Sequence, residues 1–405
     1  MKWPEVRFRY LADVSKGCLP LSENNADPNA ESVPYLTMEY LRGETNDPTL
    51  VSNDPDLLLA SDDDILLLWD GSNAGEFLRA KRGAVSSTTA LVTTKSVDPA
   101  FFYWVCKEQE DLLRAETVGM GIPHVNGEFL ANLRIRLPNA IHQRSIADYL
   151  DREMTRLDKL MAEKERLLDL LAEKRRGLIY HAVTRGLDPN VPLQESGKPG
   201  LGRTPSHWTE SHLKRLVASM DYGVSVSVET SGDIAILRMG DIHNGEIDYS
   251  EIGFVDEVDR SLLLQPGDLV FNRTNSLDQV GKVALFRGNP NYPVSFASYL
   301  VRLRCSRKAM PEFLNLLLNS DYPVAWGRAQ ALPSIGQVNL NPNRYGYLPI
   351  SLPPIEEQNE IVRYILNWTD RLDAVHAETG RTIDLLSQRR VALVSAALTG
   401  QLGVT

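Results

Sequence analysis

The side chains best suited to chemistry in this chain are hydrogen-bonding groups clustered in loops. Asn272-Arg273-Thr274-Asn275-Ser276 follows a strand-like run at 268–271. The planar fork of arginine fits the paired acceptors of guanine, and an asparagine amide fits adenine. Ser and Thr hydroxyls suit phosphate oxygens. The first half of the chain offers a counterpart, Trp69-Asp70-Gly71-Ser72-Asn73-Ala74-Gly75, with Ser72 and Asn73 as contact candidates and Lys81 and Arg82 close behind. Two short motifs precede a Leu-Pro: His124-Val125-Asn126 and Gln337-Val338-Asn339. His124, Asn126, Gln337 and Asn339 could read base edges or hold the turn. The plainer reading of all these loops is that Asn, Gly, Asp and Ser form turns.

Signatures of bond-breaking chemistry are missing. Asp98-Pro99-Ala100-Phe101 and Asn289-Pro290-Asn291-Tyr292 look like the Asn-Pro-Pro-Tyr loop of DNA adenine methyltransferases. Both lack the second proline, and no glycine-rich turn for S-adenosylmethionine precedes them, so they read as turns. No lysine has an acid two residues before it, as a Pro-Asp…(Asp/Glu)-x-Lys nuclease requires. Ser196-Gly197-Lys198-Pro199 is no phosphate loop. The seven histidines are scattered without Cys-x-x-Cys or His-Glu-x-x-His, which argues against a metal site.

The loops need a scaffold, and the chain writes that scaffold twice. Residues 137–187 and 352–402 align without a gap at a spacing of 215 positions. Leu137-Pro138 recurs as Leu352-Pro353, Gln143 as Gln358, Arg156-Leu157-Asp158 as Arg371-Leu372-Asp373, and Asp169-Leu170-Leu171 as Asp384-Leu385-Leu386. Such a period marks a duplicated module, not a solenoid. Leu150, Leu157, Leu171 and Leu178 recur at multiples of seven, and Met154, Met161, Leu168 and Ala182 follow four out of phase. That is the apolar seam of a coiled-coil helix. Ile365, Leu372, Leu386 and Leu393, with Ile383 and Ala397, keep the phase in the second copy. Both copies break it at Lys164 and Thr379, then at Arg175 and Arg390, which points to a fixed register between two helices.

Between the helices, 1–136 and 205–351 read as mixed α+β globules, each with short β-type runs, a late helix and an early tryptophan (Trp3, Trp208). Residues 187–204 are rich in Pro and Gly and read as a linker.

Composition is that of an ordinary globular protein, with 43% hydrophobic and 24% charged residues. The net charge of −10 argues against nucleic acid by itself, although the acid concentrates in runs such as Asp62-Asp63-Asp64. A basic partner would then supply much of the phosphate neutralisation. Three separated cysteines fit a reducing cytosol. No apolar run spans a membrane, and the N-terminal residues lack an export signal.

The motif Leu-Pro-x-x-x-x-Gln leading into a heptad helix, occurring twice, resembles the specificity subunits of type I restriction-modification enzymes. Thr184-Arg185-Gly186-Leu187-Asp188-Pro189-Asn190-Val191-Pro192 with Pro205-Ser206-His207-Trp208 is similar to that family's central region. The run from Asp268 to Ser276, with Val280-Gly281-Lys282, resembles a motif of its target-recognition domains and adds Lys282 to the contact candidates. The first globule lacks the Asn-Arg-Thr-Asn-Ser form. The resemblance covers nearly the whole chain. It implies an α+β protein: target-recognition domains at 1–136 and 205–351, separated by spacer helices at 137–186 and 352–405 that form an antiparallel coiled coil with an internal pseudo-two-fold. It implies a non-catalytic cytoplasmic subunit that reads a bipartite, gapped site on double-stranded DNA. Two methyltransferase subunits and restriction/translocase subunits would be its partners. The chain would hold no cofactor itself; S-adenosylmethionine, ATP and magnesium would belong to those partners. Two other classes stay open from the residues alone. A divergent methyltransferase or nuclease would show itself by binding S-adenosylmethionine in isolation, and a coiled-coil protein scaffold by indifference to DNA sequence.

Overall fold

The computed structural model describes residues 3–20, 32–198, 200–289, 291–334 and 336–403. Pro199 of the expected linker, Pro290 of the Asn-Pro turn, Met1 and Lys2, and the end of the expected second spacer helix at 404–405 lie outside them. The chain divides into two units, 1–165 with 380–405, and 166–379. Each unit takes one globule and part of both repeats.

The repeats form two long helices, Ala140–Arg185 and Ile355–Leu398. Asn139 starts the first by accepting a hydrogen bond from the His142 amide at 2.9 Å, and Glu356 and Glu357 favour the positive N-terminal end of the second. The repeated glutamines explain why the Leu-Pro motif matters. Gln143 is buried, and its amide donates to the Pro138 carbonyl at 2.8 Å. Its Oε1 accepts the Asp98 N–H at 2.9 Å. Gln358 repeats the arrangement with Pro353 at 2.9 Å and the Met310 N–H at 2.7 Å. Asp98 and Met310 are the N-cap residues of Pro99–Glu108 and Pro311–Leu318. One glutamine per unit therefore ties the globule's helix to the start of a long helix. An orphaned amide N–H at a helix start is satisfied by the same contact.

The helices pack antiparallel within each unit. In 166–379, Arg175 pairs with Asp373, while Ala182 and Val183 sit in one core with Ile361, Val362 and Ile365. In the other unit, Asp158 pairs with Arg390, and Ile146, Leu150, Met154 and Leu157 share a core with Leu386, Ala397 and Leu398. Each fully buried aliphatic of this seam contributes about 1.5–3 kcal/mol. The polar interruptions are absorbed locally. The Thr379 hydroxyl donates to the Val375 carbonyl at 2.8 Å, and Arg175 and Arg390 make the ion pairs.

Each globule carries the same sheet plan. In the first, an antiparallel four-stranded sheet runs Ala12–Lys16, Thr89–Thr94, Ile65–Leu68, Phe77–Arg79. In the second, the order is Val217–Tyr222, Leu300–Cys305, Asp268–Asn272, Val283–Leu285. Each also has a parallel pair, Ser32–Leu36 with Gly83–Val85 and Ile234–Leu237 with Val294–Phe296. Trp3 packs against the first core and Trp208 is buried in the second. The α+β architecture is thus duplicated beyond what the weak sequence echo announces. The late helix expected in the first globule is two, Pro99–Glu108 and Glu110–Ala115. Residues 187–204 hold more than a linker: Leu193–Glu195 pairs with Arg203–Pro205 as an antiparallel ladder.

Candidate nucleic-acid interface

In 166–379 the loop candidates converge because a strand changes partners. Asp268–Asn272 is a fully buried central strand. Asp268 anchors its start through two hydrogen bonds from Arg304, 2.8 and 2.7 Å, and these raise the Arg304 pKa. After Asn272 the chain leaves the sheet, and Thr274–Asn275 pairs with Gln337–Asn339 instead. Gln337–Asn339 in turn pairs with Leu332–Ser334. Asn339 donates its amide to the Thr274 hydroxyl at 3.0 Å, and the Leu340 N–H reaches the Arg273 carbonyl at 2.7 Å.

The candidates are not equally presented. Asn272 is fully buried and donates to the Met239 carbonyl at 3.2 Å, so it braces the loop from inside. Thr274 is buried as well. Arg273 is half-buried; one guanidinium nitrogen bonds the Ser298 carbonyl at 3.1 Å, and the group lies over the Tyr222 ring at 5.1 Å. The stack fixes the plane of the fork. Ser276 is exposed. Its hydroxyl and the Gln279 amide hold the exposed Asp278 carboxyl below its usual range. Lys282 bonds the Gln279 side chain at 2.8 Å. Gln337, Asn339 and Asn275 are half-buried along the ladder.

The other unit builds the same junction from different side chains. The strand Ile65–Leu68 ends, Trp69 takes the place of Arg273, and the Val125 N–H reaches the Trp69 carbonyl at 2.9 Å. Asp70 bridges to His124, and Gly71 N–H donates to Pro123. Gly75 and Gly281 close the two loops, donating to Leu68 and Asn272 with φ of 98° and 82°, a left-handed conformation that favours glycine. The loop in 166–379 is two residues longer (273–280 against 69–74).

This geometry corrects one correspondence drawn from sequence. Val125 and Leu340 make the same backbone bond, so His124-Val125-Asn126 corresponds to Asn339-Leu340-Asn341, two residues from Gln337-Val338-Asn339. The caps agree. Asn126 accepts from the Phe129 N–H at 3.1 Å, and Asn341 from the Asn343 N–H at 2.8 Å, each starting a short helix. Asn126 therefore holds a turn here, with its oxygen engaged.

Ser72 is exposed and Asn73 half-buried beside this junction. Lys81 and Arg82 are not brought to it. They follow Phe77–Arg79, whose Arg79 pairs with Ile65 at the opposite end of the hairpin. Lys81 donates to the Tyr40 carbonyl at 2.7 Å and sits 4.1 Å above its ring. Lys16, which no local pattern marks, pairs with Asp70 at 2.6 Å because the neighbouring strand brings it there. Asp98 caps its own helix by accepting from Phe101 at 3.0 Å, as a turn residue would. Among the described residues no cluster of three His, Cys, Asp or Glu could hold a metal, and no helix is long and apolar enough to cross a membrane.

Residues 1–168 match the model of the type I restriction modification DNA specificity domain. Over its length the chain is similar to the type I restriction enzyme MjaVIII specificity subunit of Methanocaldococcus jannaschii, 25% identical over 99% of this chain and 93% of that one. The EcoBI specificity subunit of Escherichia coli is 21% identical over 99% and 86%. Among solved structures, a chain from work on complex assembly and conformational transition of the type I R-M system superposes with a TM-score of 0.75 at 15% identity, covering 99% and 98% of the two chains. The HsdS subunit of Thermoanaerobacter tengcongensis gives a TM-score of 0.56 at 15% identity, covering 99% and 97%. These two share the fold.

Proposed function

We propose that the chain is a specificity subunit of the type I restriction-modification kind, a non-catalytic DNA-recognition protein like the relatives it matches, and that each of its globules reads one half of a bipartite, gapped site on double-stranded DNA. The observation that carries this reading is the junction built twice with different side chains. Arg273 and Asn339 in one globule face the roles that Trp69 and His124 hold in the other. The same backbone frame with different donors is what an asymmetric target requires, since base edges are told apart by their donor and acceptor pattern.

The two long helices act as the ruler that sets the gap, at about 1.5 Å per residue. They also dock two methyltransferase subunits. Leu170 and Leu385 occupy equivalent repeat positions and are both exposed, at 51% and 64%. An apolar side chain left exposed at the same position of both copies supports this docking. S-adenosylmethionine would be held by those partners, ATP and magnesium with the restriction/translocase subunits, and the assembly would work in the cytoplasm. Because the net charge is −10, the partners supply the basic surface that tracks phosphates.

The test is selection of random double-stranded DNA by the chain assembled with its methyltransferase. Enrichment of two fixed half-sites separated by a constant gap supports the reading. Retention of DNA without sequence preference would leave a protein scaffold in its place.

A further inference from the structure

Beside the junction of the first globule stands a small hairpin whose apolar side chains are exposed. Val118 and His124 exchange both backbone hydrogen bonds, each 2.9 Å. Between them Met120 is fully exposed (107%), Ile122 is 68% exposed, and Val118 is 44% exposed. Leaving a methionine or isoleucine in water forgoes about 1.5–3 kcal/mol each, and here three apolar side chains share one seven-residue turn.

The turn is built to project Met120. It is flanked by Gly119 and Gly121, with φ of 118° and 102°. A Cβ at Gly119 would lie 2.6 Å from the Ile122 carbonyl oxygen and 2.7 Å from the His124 ring, so the tip closes tightly beneath the methionine. Met120 thus stands as a single unbranched chain without side-chain neighbours in sequence. Its thickness, about 3.5–4 Å at carbon contact distance, is close to the 3.4 Å rise of a base pair.

The second globule holds a matching hairpin. Leu332 pairs with Asn339 as Val118 pairs with His124, and Leu332 is 52% exposed. Neither hairpin (117–126, 331–341) contains an acidic residue, in a chain with 53 of them. An acid-free apolar projection contiguous with the base-reading candidates fits a phosphate-lined duplex.

We propose that the 118–124 hairpin is a wedge that drives Met120 into a base step of the half-site read by the first globule. The proposal rests on the reading of that globule as a DNA reader. Unstacking a step costs energy that depends on its sequence, so the wedge adds selectivity for deformable steps such as TA or CA. Ile122 and Val118 cover the exposed base edge behind it. The first globule has Trp69 where the second has Arg273, and so relies more on deformation.

The experiment uses the full chain assembled with its methyltransferase. Duplexes carry the selected gapped site, with 2-aminopurine at successive positions of the half-site away from the methylated adenine. Binding of the unmodified protein is expected to brighten one position. Met120→Gly should return it to the level of free duplex and weaken Kd by about ten- to hundredfold, the equivalent of one lost methionine burial. Met120→Leu should keep both signals. Unchanged brightness and Kd in Met120→Gly would overturn the wedge. So would loss of methyltransferase assembly by this variant on gel filtration, which would assign the hairpin to a protein partner. If the unmodified complex ignored the gapped site, the reader assignment would fall and the wedge with it, a result distinct from failure of the variant alone.

Discussion

Arg175 holds Asp373 across the helix pair, its Nε 3.4 Å from the carboxylate Oδ1. The same two repeat positions meet again as Arg390 and Asp158 at 3.1 Å. Each long helix therefore offers one arginine and one aspartate, and each arginine finds the aspartate of the other helix. All four side chains are about half exposed, so each pair adds only ~0–1 kcal/mol. Its value is register: sliding either helix breaks the match. Arg175→Asp should lower the thermal midpoint by a few degrees at most, and adding Asp373→Arg should recover it. Absence of recovery in the double variant would remove the register role.

Gln358 is a stronger anchor. It is fully buried and bonds Pro353, Met310 and Lys308. Gln358→Leu keeps the volume but orphans the Met310 N–H and two carbonyls. A buried group left unsatisfied costs ~1–3 kcal/mol. We expect destabilisation of that order in chemical denaturation, and the same direction for Gln143→Leu. A neutral result for both would mean that water replaces the glutamine.

Arg273→Ala should relax recognition in one half-site only, at a cost of ~1–3 kcal/mol if the fork contacts a base. Competition binding with single-base substitutions in each half-site checks this. Uniform weakening on all DNA would reassign Arg273 to phosphate, and no change would remove it from the interface.

Leu170→Asp and Leu385→Asp each place a charge on an exposed apolar position of a long helix. Neither should alter folding of the isolated chain. Each should remove one methyltransferase from the assembly, and the pair both, as read by native mass. Full assembly of the double variant would move the docking surface elsewhere on the helices.

The helices were legible because their signal is local and periodic: Leu150, Leu157, Ile365 and Leu372, all placed on the seam from spacing, are buried. The paired polar breaks at Arg175 and Arg390 pointed to a fixed register, and they carry its ion pairs. The junctions were harder. The run at 268–271 showed a strand, but its burial on both faces could not be read from the run, and so Asn272 at its end looked available. The partner of Thr274 lies 65 residues away, and the choice between Gln337 and Asn339 as the counterpart of His124 is made by a ladder, not by local pattern. Lys81 and Arg82 are near Ser72 in sequence, yet a hairpin carries them to its other end. Met120 gave no sequence signal, since a lone methionine between glycines reads as an ordinary turn.

The most direct measurement is single-molecule sequencing of adenine methylation in a host genome with and without this gene. The expected result is loss of one bipartite, gapped motif on deletion, its two halves unrelated in sequence and its gap constant. An unchanged methylome in a host whose methyltransferase subunit is active would contradict the assignment of the two globules as its DNA readers.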